Sequence, residues 1–191
     1  MFILFKILIS NYNILKLKKK GEIIMITTMG HIGISLPNID EGVKWYSNTF
    51  DLYQLSDIME ASIDNEGIFC EIEKNIFGKK HKKFKVVHLC TSDGFGIELF
   101  EFVDPANEKP DDNFEYWKTG LFHIALTVKN IEEMCSKITS SGGKQRCKIW
   151  KPWKNKSYKI CYCEDPWGTV LEINSHPYSS IWSNYSTTHQ L

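Results

Sequence analysis

Hydrophobic and polar positions follow the same order twice along this chain. Residues 26–36 and 121–128 alternate between apolar and polar side chains and carry β-branched residues, which predicts a strand in each place. Each strand is followed by a helical spacing of apolar side chains, at residues 41–49 with Asp40 as N-cap and at residues 131–140. The pattern therefore predicts two similar halves, each beginning with a strand and a helix.

Shorter runs of β-branched and aromatic residues complete each half. They predict strands at residues 53–61, 67–73, 85–90 and 96–103 in the first half, and at 145–150, 157–164 and 169–174 in the second. Residues 74–83 are rich in lysine and contain Gly78, so we expect a solvated loop there. The order that both halves share is β-α-β-β-β, with one further predicted strand in the first half, and the fold class is α+β.

Composition divides the chain into five parts. The predicted boundaries are an N-terminal extension at 1–24, a first module at 25–104, a linker at 105–119, a second module at 120–176 and a C-terminal tail at 177–191. The extension is apolar and then lysine-rich, without the charge order of a secretory signal. It is predicted to be disordered or to precede the working start at Met25, with a short anchor or targeting peptide as the alternative.

The repeat also contains candidate functional residues, one histidine and one glutamate in each half. Residues 30–41 and 122–133 match, and each contains a histidine on its strand, His31 or His123. The last strand of each half holds one glutamate in an apolar run, Glu98 or Glu172. A carboxylate in a buried strand is costly unless it is paired or binds a metal ion.

Two imidazoles and two carboxylates are a suitable ligand set for one divalent ion. Zn²⁺, Ni²⁺, Mn²⁺, Co²⁺ and Fe²⁺ all accept such donors. A single strand histidine is more often a hydrogen-bonded core residue than a ligand, so the matched quartet carries this hypothesis. We expect the other four histidines to be non-catalytic. His88 lies on a strand but has no counterpart, His81 lies in the lysine-rich loop, His176 follows Glu172 by four residues, and His189 is near the C-terminus.

The charge composition narrows the classes of molecule that we expect the protein to bind. The chain has 191 residues, 23 basic and 23 acidic side chains and no net charge, which argues against nucleic acid or an anionic membrane as a partner. Six cysteines without a Cys-x-x-Cys pair are typical of buried, reduced thiols in a cytoplasmic protein.

The motifs resemble those of the glyoxalase/bleomycin resistance/dioxygenase group, the vicinal oxygen chelate (VOC) superfamily. The resemblance covers residues 26–176 and is carried by Gly-His-Ile-Gly-Ile-Ser-Leu, Phe-His-Ile-Ala-Leu-Thr-Val, Gly-Ile-Glu-Leu and Asp-Pro-Trp-Gly-Thr-Val-Leu-Glu-Ile. It implies two paired βαβββ modules that form a curved, open barrel-like sheet around one divalent metal. The family's ligand positions fall on His31, Glu98, His123 and Glu172.

Within that superfamily the ligand pattern is most similar to glyoxalase I (lactoylglutathione lyase)-like members, because Glu98 is retained. The resemblance implies a metal-dependent lyase or isomerase that acts on a small oxygenated substrate or thiol conjugate through an enediolate. Glu172 and Glu98 are the candidate bases. An extradiol-type Fe²⁺ dioxygenase and a non-catalytic binding protein are the alternatives, and a homodimer is possible. The only arginine, Arg146, leaves glutathione recognition open.

Overall fold

The computed structural model describes residues 28–66, 68–78 and 80–183. The predicted extension at 1–24 and the end of the tail lie outside the described residues. The first module contains β1 (His31–Ser35), α1 (Ile39–Phe50), β2 (Tyr53–Gln54), β3 (Met59–Ser62), α2 (Ile68–Phe77), β4 (Lys83–Cys90) and β5 (Gly96–Asp104). The second contains β6 (Ile124–Thr127), α3 (Ile131–Ser140), β7 (Lys144–Gln145), β8 (Ile160–Glu164), β9 (Val170–Asn174) and α4 (Tyr178–Trp182).

Each module forms its own mixed sheet, so the α+β prediction is confirmed. The first sheet has the order β1-β5-β4-β2, with β3 also paired to β4, and the second has the order β6-β9-β8-β7. In both sheets the first strand of the module runs parallel to the last strand. The last strand pairs antiparallel with the strand that precedes it in the chain. The internal repeat of the sequence is therefore a repeat of topology.

The helix that follows the first strand of each module begins in the same way. Asn38 precedes α1 and its side chain accepts a hydrogen bond from the Glu41 backbone N–H. Asn130 precedes α3 and accepts from the Glu133 N–H. The predicted N-cap at Asp40 is wrong: the helix begins earlier, because Asn38 caps it and Asp40 lies in the first turn.

The structure also differs from the prediction in two parts of the chain, the segment between β3 and β4 and the start of the C-terminal tail. Residues 67–73 were expected to form a strand and residues 74–83 a loop, whereas α2 occupies Ile68–Phe77. Apolar residues three or four positions apart give α2 one apolar side, and a short window can mistake that spacing for a strand. No element was predicted in the C-terminal tail, and its first residues form the short helix α4.

The two modules share one hydrophobic core. The core is the face of each sheet that α1 or α3 covers, and it runs continuously from Ile34 and Leu99 to Ile138 and Ile173. The Trp45 indole N–H donates to the Ser141 backbone oxygen at 3.0 Å, which joins α1 to the end of α3. This shared core fixes the position of one module on the other.

A buried hydrogen bond reinforces this docking. The Tyr46 hydroxyl on α1 donates to Asp165 Oδ2 at 2.8 Å, in the turn between β8 and β9. Burial raises the pKa of Tyr46 well above its ordinary value, and the charge of Asp165 adds to that rise. Tyr46 therefore stays a neutral donor wherever the protein is folded near neutral pH.

No helix within the described part of the chain has the length and apolar character needed to cross a bilayer.

Candidate metal centre

In the first module, the carboxylate of Glu98 lies between two histidine side chains. Glu98 is the third residue of β5, and its Oε2 lies 3.3 Å from His31 Nε2 on the neighbouring strand β1. On the other side, Glu98 Oε1 lies 3.3 Å from His88 Nδ1 on β4. Two of the four predicted ligands, His31 and Glu98, therefore lie side by side, and His88 joins them.

The second module repeats this arrangement with a tyrosine in place of the second histidine. His123 Nε2 lies 2.9 Å from Glu172 Oε2 on β9. The Tyr162 hydroxyl on β8 donates to the same oxygen at 3.0 Å. The pKa of Tyr162 is raised to about 12, mainly by burial and then by the negative charge of Glu172. The phenol therefore remains a hydrogen-bond donor.

Strand register explains why these groups meet. Glu98 is opposite Gly33 on one side and His88 on the other, and Glu172 is opposite Ala125 and Tyr162 in the same way. Small residues at the β1 and β6 positions leave the histidine two residues earlier free to reach the carboxylate. His88 was expected to be non-catalytic because no histidine matches it, yet its structural counterpart is Tyr162.

The structure does not bring the four predicted ligands together within one chain. In the described residues, the side-chain ligand atoms of His31, Glu98, His123 and Glu172 do not form a group within 4.8 Å of one another. His123 instead lines a cavity of about 260 Å³ with Gly33 and Ser35, the residues that follow His31 on the same face of β1. Each module therefore presents a half-site of its own.

Each half-site has the donor chemistry and spacing of part of a metal coordination sphere. Two donors that each lie about 2.1 Å from one ion are separated by roughly 3.0 to 3.4 Å in octahedral or tetrahedral geometry. The imidazole-to-carboxylate separations of 3.3 Å and 2.9 Å are close to that range. The residues present therefore fit a divalent ion, and the four-ligand set stays a prediction.

The half-sites are open to different degrees. The His31 side chain is 59% exposed, whereas the Glu172 side chain is only 11% exposed. The ligand-bearing face of β1 is thus accessible to a further molecule, and Glu172 lies deeper among protein atoms.

The only arginine is occupied by neighbouring carboxylates. Arg146 Nη2 lies 2.6 Å from Asp112 and also pairs with Glu164, which is buried. Its guanidinium carbon lies 4.9 Å from the Phe114 ring centre. Arg146 therefore has an internal structural role and offers no ready clamp for a substrate carboxylate.

A larger cavity of about 700 Å³ lies between the modules. It is lined by the end of α1, the turn between β4 and β5, β6 with the segment that follows it, and the side of α3 that carries Glu133 and Lys137. Lys129 and Lys137 are among its lining residues, beside Asp51, Asp93 and Glu133. Because side chains of both charges line it, the cavity does not favour an anionic ligand over a cationic one.

Fold and paired half-sites define a protein of two βαβββ modules with a candidate metal centre. The family model of the Glyoxalase/Bleomycin resistance protein/Dioxygenase superfamily matches residues 28–173, and the chain belongs to that superfamily. No curated protein matches the sequence significantly.

Solved structures with the same fold share little sequence with the chain. A glyoxalase family protein from Bacillus cereus is 19% identical with a TM-score of 0.66, over 79% of this chain and 95% of that one. Glyoxalase I from Zea mays is 20% identical with a TM-score of 0.52, over 78% of this chain and 44% of that one. A fosfomycin resistance protein from Listeria monocytogenes is 12% identical with a TM-score of 0.54, over 84% of this chain and all of that one. These similarities show the fold.

Proposed function

We propose that the protein is a metal-dependent lyase or isomerase of the glyoxalase I type, acting on a small oxygenated substrate or thiol conjugate. The observation that carries this proposal is the pairing of a carboxylate with an imidazole in both modules, at 3.3 Å for Glu98 and 2.9 Å for Glu172. A protein that only sequestered a ligand would have no need to keep both carboxylates on its strands.

The complete site is assembled from two copies of the chain. Supporting this, the two half-sites do not meet within one chain, and His31 is largely exposed. If the first module of one copy faces the second module of the other, His31 and Glu98 join His123 and Glu172 of the partner copy. Two-fold symmetry then produces two equal sites in a homodimer.

His31, Glu98, His123 and Glu172 would hold the divalent ion, as is common in this superfamily. When bound, the ion supplies Lewis-acid polarisation to the oxygens of the substrate. Zn²⁺, Ni²⁺, Mn²⁺, Co²⁺ and Fe²⁺ suit the donor set, and the choice among them belongs to experiment.

Proton transfer is assigned to the carboxylates. A glutamate can accept a proton from a carbon next to a carbonyl and return it to the neighbouring carbon. Glu172 is the first candidate because Tyr162 and His123 hold one oxygen, Oε2, which fixes the orientation of the carboxylate. Glu98 is the second, with an imidazole at each of its oxygens.

The test is an anaerobic assay with metal-loaded protein. We expect turnover of 2-oxoaldehydes mixed with small thiols, beginning with methylglyoxal, with one or more of the five ions and without oxygen. Isomerisation in deuterated water should show whether the migrating proton exchanges with solvent. Turnover that requires both Fe²⁺ and O₂ would instead indicate a dioxygenase, and ligand binding without metal would indicate a binding protein; either result contradicts the proposal.

A further inference from the structure

Three cysteine side chains converge inside the second module, away from the half-sites. Cys135 comes from α3, and Cys161 and Cys163 come from the face of β8 that α3 covers. Their sulfur atoms all lie within 4.8 Å of one another, and Cys135 Sγ is 3.9 Å from Cys163 Sγ. The three side chains are at most 2% exposed.

This spacing is that of sulfur ligands around one ion. With metal–sulfur bonds of about 2.3 Å, two ligands lie about 3.8 Å apart in tetrahedral geometry and about 4.0 Å apart in trigonal geometry. The sulfur atoms are not joined as a disulfide. Cys135 Sγ and Cys163 Sγ are within hydrogen-bond distance of each other, and either thiol can be the donor.

The repeat shows that packing alone does not call for cysteine here. By sequence match and strand register, the positions of Cys135, Cys161 and Cys163 correspond to Val43, Val87 and Leu89 in the first module. Those aliphatic residues pack in the same shared core. The second module therefore differs from the first by three thiols at positions where the same fold is built with hydrocarbon.

We propose that Cys135, Cys161 and Cys163 form a second metal site, which takes a soft, thiophilic ion such as Zn²⁺. Thiolate sulfur favours such ions over Mg²⁺ or Ca²⁺, and each coordinated thiol releases its proton on binding. Three thiolates exceed the charge of a divalent ion by one, which is a smaller excess than in a four-cysteine zinc site.

The ion has a route to this buried site along one side. The Cys161 thiol donates to the Cys147 backbone oxygen at 3.2 Å, and Cys147 is only half-buried. The segment that follows β7 carries Cys147 and is held to β8 by the Arg146 N–H, which donates to the Tyr162 backbone oxygen, and by the bridge at Trp150. Local opening of this short segment exposes the sulfur atoms without unfolding the sheet.

Cobalt loading tests the site with a signal that the histidine–glutamate half-sites cannot give. Full-length protein, reduced and freed of metal, is titrated with Co²⁺, and thiolate coordination produces sulfur-to-cobalt charge-transfer absorption in the near ultraviolet. We expect this band in the wild type and in Glu172→Gln. We expect it to be lost in a variant with Cys135→Val, Cys161→Val and Cys163→Leu, which carries the residues of the first module.

Zinc stoichiometry completes the test. Added Zn²⁺ should displace the cobalt band, and mass spectrometry under native conditions should show one zinc fewer per chain in the triple variant. A wild type without the charge-transfer band, or a triple variant that keeps it, overturns the proposal. If the triple variant does not fold, Cys163→Leu alone is compared, and its binding of Zn²⁺ should weaken at least tenfold.

Discussion

Glu172→Gln is expected to lower the affinity of the half-site for divalent metal by roughly 100-fold or more, and to remove activity with it. Loss of a group that merely supports a ligand costs 10- to 100-fold, and loss of a ligand should exceed that. The substitution keeps the size of the side chain and replaces one anionic oxygen by an amide. Inductively coupled plasma mass spectrometry on protein purified without chelator, followed by metal titration, measures the change.

The design of this test separates ligation from folding. Tyr162 can donate to the amide oxygen of the substituted side chain, so the sheet around it should be preserved. Glu108→Gln makes the same chemical change at an exposed position and should keep the wild-type metal content. Wild-type metal content in Glu172→Gln, or wild-type protein that binds no stoichiometric ion, would contradict the site assignment.

Tyr46→Phe is expected to destabilise the fold by about 1.5 to 3 kcal/mol, the range for a hydrogen bond to a charged group. The substitution removes the donor to Asp165 Oδ2, and Asp165 is only 3% exposed, so water cannot easily replace it. For a chain of this size the loss corresponds to a melting temperature lower by roughly 3 to 12 °C.

Thermal and urea unfolding measure this effect. The backbone N–H groups of Trp167 and Thr169 still donate to Asp165 Oδ1, so the turn itself should persist and the loss should report the contact between modules. Tyr53→Phe is the matched control, because Tyr53 is 63% exposed, and its stability should change by less than about 0.5 kcal/mol. Equal melting temperatures for the two variants would show that the hydrogen bond does not stabilise the docking.

Repetition made much of the fold predictable from the sequence. Helix α3 occupies Ile131–Ser140, as predicted, because its apolar spacing is regular and Asn130 caps it. Helix α2 has the same length but was missed, because its first residues were assigned to a strand and its last residues to the lysine-rich loop. Its last residue, Phe77, packs on Phe84, Phe100 and Phe102, contacts between segments that the local pattern does not contain.

The half-sites were predictable in part for the same reason. Matched positions indicated His31, Glu98, His123 and Glu172, and the structure joins them as two pairs. His88 and Tyr162 were not assigned a role because they differ in type, and only the register of each hairpin shows that they occupy one position. The separation of the half-sites depends on how the modules dock, which follows from contacts such as Tyr46 with Asp165 rather than from any local motif.

The account depends most on the claim that each complete site combines the first module of one copy with the second module of another. A heterodimer of Glu98→Gln and Glu172→Gln, carrying two different affinity tags and purified over both, tests this claim. In that heterodimer both substitutions fall in one of the two sites, and the other site has four native ligands.

Metal content and activity of the doubly purified heterodimer give the result. We expect about one site per dimer with native affinity and about half of the wild-type activity, while each single-variant homodimer has neither. If the sites form within one chain, every site in the heterodimer carries a substitution. A heterodimer that binds metal no better than its two parents, or a chain that yields no heterodimer because it is monomeric, would contradict the account.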